Sequence, residues 1–277
     1  MRVACLDFSA RSTPSPRRPS ADALWLATER PPQYSRTRAA AWAAVAAWAR
    51  QAHAVGEPAI LGVDFALGFP AGTAAAAGFA GWAELWQWLG ANVADADNNA
   101  NNRFEVAAEL NRRVGHAAGP WWGCPASAAC DTLSMRRGFD WPFHAGDRSL
   151  ARLRRTDAAH PGTQEVWKLA GVGSVGSQTL LGLAGLWRLK ADQPDLTLRL
   201  WPMESNTPPG PGEVVVVEAF PAAASLLPAV ASRMEAGMVR DAAQTAAWRE
   251  AAKASATEAA FRTADPPEAG SIFPVSV

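Results

Sequence analysis

Four acidic residues of this chain stand where an ordered stretch gives way to a turn. Asp7 follows the apolar run VACL, Asp64 ends ILGVD ahead of FALGFP, and Glu218 closes VVVV ahead of AFP. Asp241 falls in the first turn of the helical stretch MVRDAAQTAAWREAA. If three strand ends and one helix start meet at one sheet edge, their charges repel unless protons or divalent cations neutralise them. Hard carboxylate oxygens of this kind suit Mg²⁺ or Mn²⁺. Two such ions, about 3.5–4 Å apart, form a clamp for attack on a phosphodiester or phosphoanhydride. Each acid alone also has a plain structural role. Asp64 could cap the amides of Ala66 and Leu67, and Asp241 could interact with its helix macrodipole.

Other residues suggest contacts to a phosphate. Asn101, Asn102 and Arg103 open a helical stretch, and the guanidinium of Arg103 forks phosphate well. GVGSVG (171–176) matches GxGxxG, but TQEVWKLA before it is a poor buried strand, so a dinucleotide site is not expected. Glycines leading into a helix still present bare amides, with Lys168, Ser177 and Gln178 close by in sequence. Close helix packing through small residues explains the same glycines. The basic pieces MRRG and RLRRT (152–156) lie near the aromatic stretch WWG…FDWPF. They could grip a single strand, although zero net charge favours packing for Trp121, Trp122 and Trp141. His53, His116, His144 and His160 have no ligand spacing, and no GxSxG elbow or Cys–His pair supports covalent hydrolysis.

The elements that must position these groups alternate between strand and helix patterns. RVACLDFSA (2–10) and ADALWLATER (21–30) read as a hairpin around a mobile Pro/Ser/Arg-rich loop, 11–20. Residues 37–54 read as a helix, and ILGVD as the next strand. Within 73–163, GFAGWAELWQWLG and 101–115 read as helices, the latter with Asn near its start, and 119–149 as an aromatic loop able to fold over a cleft. A helix follows the glycines before 190; LTLRLWP (196–202) and EVVVVEAFP (213–221) are strands; the rest is mostly helical with a loose tail, DPPEAGSIFPVSV. Strands separated by helices imply an α/β layered fold with helices on both sheet faces.

The 277 residues, 49% of them hydrophobic and thirteen of them Trp, form a folded chain with a large core. Lys plus Arg and Asp plus Glu both number 26, which argues against a broad basic face for long nucleic acid. A small substrate, or a short nucleic-acid segment in one cleft, fits better. The N-terminus does not read as a signal peptide, no apolar run is suited to crossing a membrane, and three unpaired Cys suggest a reducing cytosol.

The order of strand Asp, hairpin, helix, strand Asp, late strand Glu and C-terminal helix Asp resembles the ribonuclease-H-like superfamily. VDFALGFP, VEAFPA and RDAAQ look like a family of predicted nucleases within it. NNRFEVAAELN, GPWWG, VWKLAGVGSVGSQTLLGL and WP…VEAFP resemble its subgroup often labelled as molybdopterin guanine dinucleotide synthesis proteins. The resemblance implies one ribonuclease-H-like domain over 1–277, a mixed sheet flanked by helices with a large helical and loop insertion at about 73–190. It implies metal-binding, catalytic roles for Asp7, Asp64, Glu218 and Asp241, with Asp7 and Asp64 bridging Mg²⁺ or Mn²⁺. The chain departs from the family in its longer loop 11–20 and in EAGSIF where an EGW-type ending is usual, so no role is carried to Glu268. The expected activity is metal-dependent phosphoester hydrolysis by a cytoplasmic nuclease, with Arg103, Asn102, Lys168, Ser177 and Gln178 as substrate contacts. A hydrolase or transferase of nucleotide or pterin phosphates, and a non-catalytic accessory protein, are the competing classes.

Overall fold

The computed structural model describes residues 1–115, 118–263, 265 and 267–275. The chain opens with β1 (Arg2–Asp7), β2 (Leu24–Ala27) and β3 (Gln33–Ser35), then α1 (Arg38–Ala54) and β4 (Ala59–Val63). A long excursion follows: α2 (Thr73–Ala76), α3 (Trp82–Asn92), α4 (Arg103–Gly115), the hairpin β5 (Phe143–Ala145) and β6 (Arg148–Leu150), and α5 (Arg155–Ala159). The chain closes with α6 (Gly176–Asp192), β7 (Thr197–Leu200), β8 (Glu213–Glu218), α7 (Leu227–Glu235) and α8 (Arg240–Ser255).

The result is an α/β fold with a mixed six-stranded sheet in the order β3-β2-β1-β4-β8-β7. β1, β2 and β3 pair antiparallel, whereas β1, β4, β8 and β7 run parallel. Alternation along the strands separates two buried faces. Val3, Cys5, Ile60, Val215 and Val217 meet the helix α8 and the C-terminal segment around Phe261 and Phe273. Ala4, Leu6, Leu61, Val63, Val214 and Val216 meet α1, α6 and the excursion, whose residues from Phe69 to Leu169 join the same core. The excursion is thus built onto the sheet.

The helix α8 is Ala-rich, and Ala243, Ala247 and Ala251 let it lie flat on the sheet while Trp248 is fully buried. The closest approach is at Gly62 in the middle of β4. A Cβ there would lie 2.3 Å from the Trp248 ring. Gly62 therefore sets how deeply α8 sits, and with it the height of Asp241 above the strand ends.

Three expectations change. Loop 11–20 is tied down by Arg38, which donates to the carbonyls of Ser9 and Arg11 at 3.0 and 2.7 Å, and by a Ser15 amide bond to Arg36 O at 2.8 Å. Arg38 in turn is held by both oxygens of Asp95, at 2.7 and 2.6 Å. The segment 119–149 is not all loop: it contains β5 and β6 across a two-residue turn, Gly146-Asp147, and its Trp121 is fully buried. Asn111 of α4, also buried, anchors it by donating to Trp121 O and Thr132 O at 2.8 and 2.6 Å. Over its described residues 267–275 the tail is not loose either. Ile272 bridges Glu218, and the Phe273 amide donates to Glu218 O at 2.9 Å.

Gly62→Ala is expected to destabilise the protein by about 1–3 kcal/mol, because the indole above cannot retreat from a close-packed face. Chemical denaturation of the two proteins measures the difference. An unchanged midpoint would show that α8 does not rest on β4 in this way.

Candidate active site

Adjacent parallel strands end together, so β1, β4 and β8 deliver their C-terminal residues to one edge. Leu6 pairs with Val63 and Val63 with Glu218, while the Asp64 amide donates to Leu6 O at 2.9 Å. This register sets Asp7 and Asp64 side by side, and their partly buried carboxyls hydrogen-bond to each other. Burial first, and then the Asp64 charge, push the Asp7 carboxyl well above the usual range. Burial likewise raises Asp64 from 3.8 to about 7, with the charges of Glu218 and Asp241 adding and the Asp7 hydrogen bond opposing. Burial and mutual repulsion thus favour keeping a proton on this pair.

Glu218 has a different fate. Strand alternation turns it to the α6 face with Val214 and Val216, away from the face that carries Val3 and Cys5. There Arg154 grips both its oxygens at 2.6 Å, and the Leu67 amide donates to Oε2 at 2.9 Å. Arg154 also binds Asp157 through Nε at 2.9 Å and Nη2 at 2.7 Å. All three side chains are buried. Burial alone would lower the guanidinium, yet the charges of Glu218 and Asp157 more than offset it and raise it instead. Asp241, also buried, accepts from the Asp22 amide at 2.5 Å and from Arg240 Nε at 2.9 Å. It fastens the hairpin to α8, and its charge still reaches Asp7.

These contacts correct the expected four-carboxylate set. Among the described residues, no group of three or more His, Cys, Asp or Glu side chains is arranged to hold a metal ion. By donor chemistry, the Asp7–Asp64 pair suits one hard cation, since it offers oxygen ligands whose mutual repulsion a cation would relieve. Glu218 does not suit a second, because a guanidinium already occupies its oxygens. The plain capping role drawn for Asp64 is corrected at Leu67, whose amide goes to Glu218.

Asp64 faces a cleft of about 200 Å³, lined also by Arg154, Gln164, Gln178, Glu218 and Phe220. Of the expected substrate contacts, Gln178 reaches it, with its amide donating to Phe8 O at 2.6 Å. Ser177 is buried, donating to Leu169 O at 2.6 Å and accepting from Arg103 Nε at 2.9 Å. Arg103 further binds Ser12 and Asn101, and burial lowers its guanidinium to about 10, so it braces the loop rather than the cleft. Asn102 joins the ends of α3 and α4, accepting from the Ala94 amide at 2.7 Å and donating to Asn92 O at 3.0 Å. Lys168 lines a different hollow. Both therefore leave the acid cleft.

His53 and His160 pair with the carbonyls of Gly212 and Thr156, His144 is exposed, and His116 lies outside the described residues. Glu268 accepts from the Gly72 amide at 2.9 Å, which is a structural contact. Arg154 and Asp157 went unrecognised in the sequence. The only signal was the Arg-x-x-Asp spacing in RRTD, which allows an i,i+3 ion pair across one helical turn. No family model, curated protein or solved structure matches this chain.

Two outcomes follow. Asp64 is raised in the folded state, so its ionisation opposes folding. Stability contributed by its proton is complete below about pH 4 and is lost as the pH climbs from 3.8 towards 7. Asp64→Asn should therefore gain about 1–2 kcal/mol over the unsubstituted protein at pH 8, and little at pH 4, in urea titrations without divalent ions. Arg154→Met strands two buried carboxylates and should cost about 3–5 kcal/mol, part of which Glu218→Gln in the same chain recovers. A single substitution as stable as the parent would refute the central role given to Arg154.

Proposed function

We propose that this protein is a metal-dependent phosphoester hydrolase of ribonuclease-H-like type, working with one Mg²⁺ or Mn²⁺ held by Asp7 and Asp64. The observation that carries the reading is the raised, proton-sharing pair of carboxyls at the ends of adjacent parallel strands, facing a cleft. Carboxyls held above their ordinary range in a cleft mark a candidate working site. An antiparallel β1–β2–β3 unit laid beside parallel β4 and β8, with α8 crossing over β1, supports the fold assignment.

The ion would supply Lewis acidity and charge neutralisation at a phosphoryl group. Asp7 and Asp64 would hold it, and a proton shared between them would leave on binding. Arg154 neutralises Glu218 and keeps the far wall of the cleft from repelling a phosphate. Gln178, anchored on Phe8 O beside Asp7, fixes the wall between the acid pair and the entry of α6. Asp241 holds the hairpin, and so β1, in register.

The modest cleft volume also favours a second reading, in which the substrate is a small nucleotide or pterin phosphate. Substrate assays separate the two. Calorimetry should find one Mn²⁺ site per chain, weakened at least about tenfold in Asp64→Asn, because half of the ligand pair is gone. Mn²⁺-dependent cleavage of a short oligonucleotide should fall about a hundredfold or more in Asp7→Asn. Identical Mn²⁺ isotherms for the parent and Asp64→Asn would sink the metal assignment and leave a non-catalytic binding role.

A further inference from the structure

The acid cleft has a neighbour of opposite character. Gln164 lines both it and a second hollow of about 340 Å³, whose other walls are Trp122, Arg137, Arg152, Glu165 and Lys168. Three cations there face one carboxylate, so the hollow carries positive charge in a chain whose formal net charge is zero. That carboxylate is already engaged. Glu165, 5% exposed, accepts from Arg152 Nε at 2.6 Å and from Trp122 Nε1 at 3.0 Å.

The wall is rigid as well as basic. Trp122 and Lys168 form a parallel bridge, with the Trp122 amide donating to Trp167 O at 3.0 Å and the Leu169 amide to Trp122 O at 2.8 Å. Lys168 Nζ donates to Val172 O at 2.6 Å and lies 5.5 Å from the centre of the Trp122 ring. Arg152 is 56% exposed despite its ion pair, leaving donors for a ligand. Arg137 is exposed and has no hydrogen-bond or ion-pair partner among the described residues. A pre-oriented indole, a guanidinium already fixed by a buried acid and a free guanidinium are the parts that recognise a base and its phosphate.

The geometry points to this hollow as the site for the phosphate and base next to the scissile one, which makes the substrate a short single-stranded nucleic acid. The inference rests on the hydrolase reading and deepens it by naming the substrate class. A polyanion approaching Asp7 and Asp64 meets repulsion, and a basic hollow beyond Gln164 offsets that repulsion for a chain long enough to reach both sites. A mononucleotide cannot fill both with phosphate. A basic hollow of about 340 Å³ suits a few nucleotides rather than a duplex.

The test is fluorescence anisotropy of a labelled hexathymidylate in metal-free buffer at several salt concentrations, with unlabelled thymidine 5′-monophosphate as competitor. Wild type should bind the hexamer in a salt-dependent manner. Arg137→Ala should weaken it by about 3–10-fold and reduce the slope of log K against log salt by about 0.7, the value for one phosphate contact on a single strand. Lys253→Ala, at an exposed residue of α8 that lines neither hollow, should keep the parent slope. Unchanged affinity and slope in Arg137→Ala overturn the inference, whatever the cleavage assay reports. A mononucleotide that competes as well as the hexamer overturns it too, in favour of a small phosphorylated ligand. Hexamer binding with the expected slope, but without Mn²⁺-dependent cleavage, upholds the hollow and defeats the hydrolase reading instead.

Discussion

Everything at the working edge of the sheet depends on one buried cation. Arg154 sits between Glu218, which β8 delivers, and Asp157, which lies one helical turn further along its own chain. Two carboxylates at this depth would be ruinous without a partner, and a guanidinium with five donors is the side chain suited to serve both at once. Arg154 also donates to Ala269 O at 3.2 Å, and Thr156 accepts the Ile272 amide at 3.0 Å. The same short segment therefore ties the excursion, the last strand of the parallel set and the C-terminal tail together. Closing the cleft and compensating its charge are a single structural event.

Against that background the pair of Asp7 and Asp64 stands out by what it lacks. Glu218 and Asp241 meet arginines and backbone amides, whereas the first two acids meet chiefly each other. One sheet edge thus sorts four acids into two that serve the architecture and two that remain costly. Such cost persists in folded proteins when a ligand relieves it, and this is why the proposed cation is assigned to that pair and not to the set of four.

A second buried guanidinium repeats the device at the first residue of α1. Arg38 binds Asp95 in two-pronged fashion and also reaches Ser9 O, Arg11 O and Asn99 O. It pins the long hairpin loop to the connection between α3 and α4. The chain is electrically neutral as a whole, yet it spends arginines inside, at loop crossings, where a directional multi-donor group replaces regular backbone pairing. In the hollow around Trp122, by contrast, Arg137 has no partner among the described residues.

Local pattern was enough to read much of this from the sequence. The hairpin strands, the helix at 38–54, the apolar runs of β4 and β8 and the Ala-rich helix α8 are carried by short-range periodicity, and they follow from residues within a few positions of one another. So did the meeting of Asp7 with Asp64, because parallel strands that start in register must end together. The β5–β6 turn was legible in Gly146-Asp147 and was overlooked among the aromatics. What tertiary structure alone decided was the partner of each acid. Whether Glu218 joins the cluster or leaves it turns on the parity of a single residue in β8 and on an arginine 64 positions away. Nothing local to VVVVEAFP encodes that arginine, because an ion pair depends on where two distant backbones cross and on how little water remains between them.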